Sequence, residues 1–242
     1  MSMFGAVAAH YVDSGAVSHS KANYWTAVLA DSPWGAWKTD ETSGTSLADS
    51  SGNSRNLTIT GTGTASLAQT GPDGAAADAI SWPASTLYGL GPNPSVSAFT
   101  ITQTCWVYVP GGGISAITPL MAVTNGGNST NFVLFFDATG KLNGRTLAGG
   151  ASEVITSASA LATGWHHVVH SIGSAGQKLR VDKSTIATGV KTSVDANTVG
   201  YRLHGHGTFA AANGDGAVLL SRCATWIGTQ LTDAKTDAHY DA

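Results

Sequence analysis

Stretches in which apolar and polar residues alternate run along most of the chain. In the clearest one, Phe99 to Val109, every second residue falls on the same side of an extended backbone. One side would carry Phe99, Ile101, Cys105, Val107 and Val109, and the other Thr100, Thr102, Thr104, Trp106 and Tyr108. Because the first set is apolar, we predict a β-strand whose Phe99 side faces a core.

Shorter segments of the same kind follow along the chain. The further strand candidates are Phe132 to Phe136, Trp165 to Ile172, Lys178 to Asp182, Tyr201 to His204 and Val218 to Trp226. Gly, Asn, Asp and Ser, which favour turns, separate most of them, and short connections favour antiparallel pairing. Repeated short strands of this kind indicate an all-β sandwich.

Both ends of the chain differ from this β-rich middle. Residues 1–18 are small and polar without a clear period, and Ser20 could cap a short helix that Pro33 ends. We therefore predict an N-terminal arm and helix over 1–31 and one principal domain over 32–242. Thr232 could cap a second short helix, ending near His239 and Tyr240, which would cover one end of the sandwich.

Composition narrows the classes of partner. Charged residues make up 11% of the chain and the formal net charge is -3, with no basic stripe to hold phosphates, so we do not expect a nucleic acid partner. No apolar run reaches the roughly 20 residues that span a bilayer, so we expect no membrane insertion. No Lys or Arg precedes Lys21, and Gly5 interrupts the apolar stretch from Phe4 to Ala9, so we expect synthesis and assembly in a cytoplasm.

The two cysteines lie far apart in the sequence. Without an export signal, we favour two separate buried thiols at Cys105 and Cys223. The sequence leaves a disulfide between them open.

Three segments, in this order, resemble the concanavalin A-like jelly rolls of laminin G type. They run from Ser32 to Asn53, from Gly164 to Asp182 with its Gly-Trp-His-His start, and from Ala224 to Tyr240. The resemblance implies an antiparallel jelly-roll sandwich over 32–242. In addition, Tyr24 to Pro33 is similar to the lead-in of such domains on tailed-bacteriophage structural proteins.

Some relatives on this fold are glycan hydrolases, which need two carboxylates about 5 Å apart. The chain has two glutamates, Glu41 and Glu153, in separate segments, and no strand candidate carries an alternating acidic pair. There is no Gly-x-Ser-x-Gly motif, and Cys105 and Cys223 sit in apolar strand patterns. We therefore predict that the chain is not an enzyme, and we assign no catalytic residue.

Two kinds of metal site come into question, and neither is assigned. His204 and His206 would share one side of a strand, with further histidines at His166, His167 and His170, which would suit zinc. Packing and hydrogen bonding account equally for these histidines. The resemblance suggests calcium near Asp49, Asn53 or Asp215. A tight turn explains the Asp49 to Asn53 segment as well, and we predict no cofactor.

Aromatic residues are candidates for stacking on sugar rings. Trp106 and Tyr108 would lie on the strand face opposite the core, where they could hold a glycan or be covered by the N-terminal helix or another subunit. We interpret Trp34, Trp37, Trp82 and Trp165 as core or edge packing.

Three functional hypotheses follow, and the first two come from different classes. The first is a non-enzymatic accessory protein of a bacteriophage virion, either a head decoration or a minor tail protein. It would be assembled in the host cytoplasm, form a homo-oligomer, bind other virion proteins through residues 1–30 and adhere to host surfaces. The alternative is a lectin-like module that binds a cell-surface polysaccharide. A degenerate glycan hydrolase is a third hypothesis.

Overall fold

Two antiparallel sheets, stacked face to face, organise the chain. The computed structural model describes residues 20–82, 87–94, 99–125, 130–195, 198–205 and 218–242. The helices are α1 (Lys21–Ala30) and α2 (Asp233–Asp241), and the strands are β1 (Gly35–Trp37), β2 (Ser46–Leu47), β3 (Leu57–Thr60), β4 (Ser66–Gln69), β5 (Ala79–Ser81), β6 (Tyr88–Gly91), β7 (Ile101–Val109), β8 (Thr118–Asn125), β9 (Thr130–Phe136), β10 (Lys141–Ala148), β11 (Ala151–Ala160), β12 (Gly164–Gly173), β13 (Gly176–Val181), β14 (Ser184–Gly189), β15 (Thr198–Leu203) and β16 (Leu219–Ile227).

Each sheet mixes strands from distant parts of the chain. Sheet 1 has the order β14-β13-β12-β7-β16-β5-β4, and β1 also pairs with β16. Sheet 2 has the order β11-β10-β9-β8-β15-β6-β3-β2. Hairpin neighbours such as β12 and β13 alternate with long crossovers such as β7 to β16, as in a jelly roll. The predicted all-β antiparallel sandwich is confirmed.

The core between the sheets contains the residues that alternation predicts. Ile101, Cys105, Val107 and Val109 of β7 are buried there. Phe99 is buried as well, but it lies before β7 and forms an isolated bridge with Val194. On the opposite side of β7, Thr102, Thr104 and Trp106 are also buried. From Ile101 to Val107 the strand is therefore covered on both faces.

Helix α1 covers part of the outer face of sheet 1. As predicted, Ser20 is its N-cap, and the Ser20 side chain accepts a hydrogen bond from the Asn23 amide at 3.1 Å. Three of its side chains are buried in a second cluster beside strand residues; the buried members of that cluster are Tyr24, Trp25, Val28, Ala36, Trp106, Ala224, Trp226 and Leu231. The arm predicted before it, residues 1–19, lies outside the described residues, and the division of the chain at residue 31 stays a prediction.

Helix α2 lies on the same outer face. Its N-cap is Thr232, as predicted. The His239 ring stacks on Trp226, with ring centroids 5.4 Å apart, and the Tyr240 ring stacks on Trp106. The helix therefore covers a face of sheet 1, whereas the sequence predicted that it would cover one end of the sandwich.

A buried ionic cluster ties α1 to sheet 1. Strand β16 bulges after Ser221, and Arg222 there adopts a positive φ of 53°. The fully buried Arg222 guanidinium donates to Asp78 Oδ2, at 2.6 Å from Nη2 and 3.0 Å from Nε. Lys21 of α1 lies 3.0 Å from Asp78 Oδ1, and the Tyr24 hydroxyl donates to the Arg222 carbonyl at 2.9 Å. Both charges of the Asp78 pair are thus buried with partners, as a stable core requires.

In the described part of the chain, no helix is both long and apolar enough to cross a membrane.

Candidate ligand-binding surface

Most of the centre of sheet 1's outer face is closed by the two helices. Trp106, one of the two predicted sugar platforms, is 3% exposed and stacks on Tyr240, with ring centroids 5.5 Å apart. A sugar could not reach the face of this indole while α2 is in place. Trp106 is therefore covered by the protein itself, and the ring that stacks on it belongs to the C-terminal helix α2, whereas the sequence predicted a glycan, the N-terminal helix or another subunit there.

Two residues further along β7, at Tyr108, the outer face of sheet 1 is open to solvent. Trp165 of β12 pairs with Tyr108 of β7, and Tyr108 pairs with Leu219 of β16. All three side chains are partly exposed, and the rings of Tyr108 and Trp165 meet edge to face at 5.6 Å. We call these three residues the aromatic row. Two strand spacings of about 4.8 Å make it roughly 10 Å long.

The strands hold the aromatic row rigidly. Strands β7 and β12 pair without a register shift from Gly164 opposite Val109 to Ile172 opposite Ile101. Gly164 starts β12 with a φ of 130°, a conformation that favours glycine, directly before Trp165. A binding platform built on regular strands is better preorganised than one on loops. The prediction that Trp165 is a core or edge packing residue is confirmed, because its partly exposed side chain packs against the cluster that contains Trp106.

The predicted histidine candidates occupy separate environments. His166 lies beside the β13–β14 turn, with Nδ1 2.6 Å from Asp182 Oδ2 and Nε2 3.0 Å from the Ala162 carbonyl. Since both ring nitrogens face acceptors, the geometry suits the imidazolium form. Burial disfavours that charge, but the bond and charge of Asp182 prevail and raise the pKa of His166. His167 lies on the other side of β12, with Nε2 2.7 Å from Thr104 Oγ1.

Two other histidines are fully enclosed. The ring of His170 stacks on Phe132 at 3.8 Å between the sheets, and burial lowers its pKa to about 3. The ring of His204 stacks on Trp82 at 5.4 Å, and burial lowers its pKa to about 4. His206, the other half of the predicted zinc pair, lies outside the described residues. Within the described ranges, no three metal-ligating side chains come together.

Asp49 and Asn53, the calcium candidates, organise a turn. Asp49 Oδ1 accepts from the amides of Ala36 and Ser51, and Oδ2 accepts from the Ser51 hydroxyl and the Arg55 amide. These four hydrogen bonds lower the pKa of Asp49 although burial opposes them. The Asn53 side-chain amide donates to backbone carbonyls, including that of Pro33 at 3.1 Å. The third candidate, Asp215, is not among the described residues.

The candidate catalytic groups also have structural partners. Glu41 accepts from the Ala48 amide at 2.7 Å. Glu153, on β11 of sheet 2, accepts hydrogen bonds from the amides of Val190 and Lys191 at 3.0 Å each. Cys105 and Cys223 are buried free thiols, which confirms the favoured interpretation of the cysteines.

Comparison with known proteins identifies the class of fold. No family model matches the chain, and no curated protein matches it in sequence. A Trypanosoma rangeli sialidase in complex with sialic acid aligns with a TM-score of 0.65 and 11% identity, over 88% of this chain and 33% of the sialidase. The binding domain of botulinum neurotoxin DC, in complex with rat synaptotagmin II, aligns with a TM-score of 0.64 and 10% identity, over 88% of this chain and 52% of the other.

These neighbours place the chain among β-sandwiches of the concanavalin A-like, jelly-roll type. The chain spans about a third of the sialidase and about half of the toxin domain. At these identities the likeness shows the fold alone. It shows no link to bacteriophage proteins.

The comparison contradicts the prediction that the chain is not an enzyme. Several neighbours are sialidases, and one is a sialidase mutant that displays trans-sialidase activity, with a TM-score of 0.63 and 11% identity over 88% of this chain and 33% of the mutant. The prediction rested on the absence of an acidic pair in the strand patterns. An alternating acidic pair is the signature of one hydrolase mechanism only. Because this fold also occurs in sialidase chains, the absence of such a pair does not exclude catalysis.

Proposed function

We propose that this chain is a lectin-like carbohydrate-binding module. The observation that carries the proposal is the aromatic row: two partly exposed aromatic rings and a leucine in register across three adjacent strands. A row of this length matches a short run of linked sugar rings better than a single small ligand.

The chemistry of the aromatic row suits a sugar. Aromatic faces and leucine methyl groups pack against the C–H face of a pyranose ring, and this burial supplies affinity. The Tyr108 hydroxyl and the Trp165 indole N–H can bond sugar hydroxyls at the edge of the platform. Ser81, which pairs with Leu219, extends the row by one further hydroxyl. Such a mixed platform favours carbohydrate over a purely apolar ligand.

The neighbours support a binding role. One is a sialidase solved with sialic acid, and another is described as the binding domain of a neurotoxin. Both contain a sandwich similar to this chain within a longer protein. A module of this kind is consistent with a chain that acts as one part of a larger assembly.

The test is a calorimetric titration of the full chain with a panel of neutral and acidic oligosaccharides. We expect Tyr108→Ala and Trp165→Ala to weaken binding by about tenfold or more, since each removes a stacking ring. Tyr88→Ala is the matched control, because Tyr88 is a partly exposed aromatic residue of the opposite sheet. If no glycan binds, or if all three variants weaken binding equally, the proposal is wrong.

We also propose a virion role for this module, as an accessory protein of a tailed bacteriophage particle assembled in the host cytoplasm. The similarity of Tyr24 to Pro33 to phage lead-in segments favours this second function. In the structure Lys21–Ala30 forms α1 and packs on sheet 1. Within the proposed attachment segment of residues 1–30, contacts with other virion proteins would therefore fall to residues 1–19.

Light scattering on the full chain and on a chain that starts at residue 20 tests this role, because the second version keeps Ser20 and α1 intact. The virion proposal expects a homo-oligomer that becomes a monomer when residues 1–19 are removed, and loss of binding to particles. Unchanged mass and unchanged particle binding would contradict it while leaving the carbohydrate proposal intact.

A further inference from the structure

The two cysteines lie opposite each other on neighbouring strands, although they are far apart in the sequence. The bulge of β16 leaves Arg222 and Cys223 together opposite a single residue of β7, which is Cys105. The side chains of Cys105 and Cys223 are both fully buried in the core cluster between the sheets. The two thiols therefore occupy neighbouring positions on the inner face of sheet 1.

The Cys223 thiol lies within hydrogen-bonding reach of the Cys105 side chain. Burial raises the pKa of the Cys223 thiol well above its ordinary value, and the hydrogen bond with Cys105 adds to this rise. Residues directly opposite in an antiparallel pair have Cα atoms about 4.5–5.5 Å apart. Disulfides join residues whose Cα atoms are about 4.4–6.8 Å apart. The paired strands therefore hold these two residues at the spacing that a disulfide needs.

Burial determines when such a bond can form. Exchange with an external disulfide needs a thiolate that the reagent can reach. In the folded chain both sulfur atoms are enclosed, and the Cys223 thiol stays protonated because its pKa is raised. Before β16 has paired with β7, the chain leaves both thiols accessible. Formation of the bond therefore belongs to folding, and the finished sandwich then shields it.

We propose that Cys105 and Cys223 are a cross-strand disulfide site, which closes when the chain folds in the presence of a disulfide oxidant such as oxidised glutathione. The thiolate of one cysteine displaces one half of the oxidant and forms a mixed disulfide, and the other cysteine then displaces the second half. An Sγ–Sγ bond forms, the two thiols give up two protons and two electrons, and two molecules of reduced glutathione leave. Without such an oxidant the chain keeps both thiols.

The bond joins two strands of the aromatic row. Tyr108 lies on β7 and its partner Leu219 lies on β16, so a covalent link between these strands holds the two residues in register. The link also closes a long loop of the chain, and such a loop restrains the unfolded state strongly. We therefore expect the oxidised sandwich to be more stable than the reduced one. This inference does not depend on the proposed carbohydrate function.

Refolding and melting of the full chain test the inference. The reduced chain, unfolded in urea, is diluted into native buffer with oxidised and reduced glutathione, and the remaining thiols are then alkylated in urea. We expect the intact mass to show a chain without alkyl groups that has lost two hydrogen atoms, and a peptide map to link Cys105 to Cys223. Its thermal unfolding midpoint should lie about 5 °C or more above that of the reduced chain.

A relocated cysteine separates the geometry of the fold from simple loop closure. Val107 also faces the core from β7, but it pairs with Leu220 and not with Cys223. Cys105→Val combined with Val107→Cys therefore closes a loop of nearly the same length from a position that does not match. Oxidised in dilute urea and then refolded, this variant should melt below its own reduced form. The reduced form is melted first to establish that the variant folds.

The results of these measurements support or overturn the inference separately from the carbohydrate proposal. If the original chain keeps two alkylatable thiols after refolding with glutathione, the site does not form during folding and the inference is wrong. An oxidised chain that melts at or below the midpoint of the reduced chain also overturns it, because the fold then opposes the bond. An equal gain in the relocated variant overturns the pairing of Cys105 with Cys223 as the cause. None of these measurements involves a sugar.

Discussion

The ring of Tyr240, on the last helix, stacks on the ring of Trp106, on the central strand β7, with an interplanar angle of 18°. This contact explains why a tryptophan on the outer face of a sheet is almost fully buried. The surface that α2 covers therefore ends at Trp106, and the open aromatic row begins two residues further along β7, at Tyr108.

We expect Tyr240→Ala to lower the free energy of unfolding by about 1–3 kcal/mol, because it removes a stacked ring and uncovers Trp106. Urea denaturation followed by tryptophan fluorescence measures both effects, since Trp106 should become accessible to a quencher. Tyr240→Phe keeps the stacked ring and is the control. Equal quenching in all three proteins would show that α2 does not shield Trp106.

The second prediction concerns the contribution of the buried pair of Asp78 and Arg222 to stability. Asp78→Ala removes the carboxylate that accepts two hydrogen bonds from the buried guanidinium and leaves Asp73 Oδ2, 2.7 Å from Nη2, to offset its charge, so we expect a loss of about 3 kcal/mol of stability. Asp40→Asn, which breaks a surface contact with Lys21, should cost less than about 1 kcal/mol. Denaturant unfolding of the two variants gives the comparison, and similar losses would mean that the buried pair has no special weight.

Acid should destabilise the fold through its enclosed histidines. The pKa of His170 falls from about 6.5 in the unfolded chain to about 3 in the fold, and that of His204 falls to about 4. Between these values and 6.5 the unfolded chain binds protons that the folded chain does not. Stability is therefore fully present above pH 6.5 and falls with acidification, by up to about 1.4 kcal/mol per pH unit for each histidine.

Unfolding at pH 7 and pH 5 measures this dependence. His170→Leu removes one titrating group and two buried ring nitrogens that have no partner among the described residues. We expect it to flatten the pH dependence. An unchanged slope between the two pH values would show that His170 is not the group responsible.

The contribution of His166 to stability should change with pH in the opposite direction, so that it falls as the pH rises. Its pKa is raised in the fold, so its contribution is fully present below pH 6.5 and is lost as the pH rises through the folded value. NMR titration of the imidazole signals measures that value directly. Asp182→Asn removes the carboxylate while keeping a side chain of the same size, and it should bring the pKa of His166 back towards its ordinary value or below it.

Alternation predicted the inner face of β7, and the repeated short strands with turn residues between them predicted the antiparallel sandwich. These patterns could not predict that the outer face of β7 is buried, since that depends on two helices from distant parts of the chain. Strand β11 was missed. Its small residues are mostly exposed at the edge of sheet 2, so its sequence carries almost no apolar stripe.

The candidate sites depended still more on three-dimensional context. Tyr108 was predicted as a candidate sugar platform and is partly exposed, whereas Trp106, two residues earlier on the same face, lies beneath α2. Trp165 was assigned to packing because tryptophan is usually buried, and only its pairing with Tyr108 reveals the aromatic row.

The position of β16 has a consequence for how the protein is made. This late strand lies between β7 and β5, so a nascent chain that has not yet reached Leu219 leaves both neighbouring strands with unpaired edges. Contacts between residues so far apart in sequence form slowly. Until β16 has left the ribosome, the free edges of β7 and β5 can therefore pair with strands of other chains, and this pairing favours aggregation.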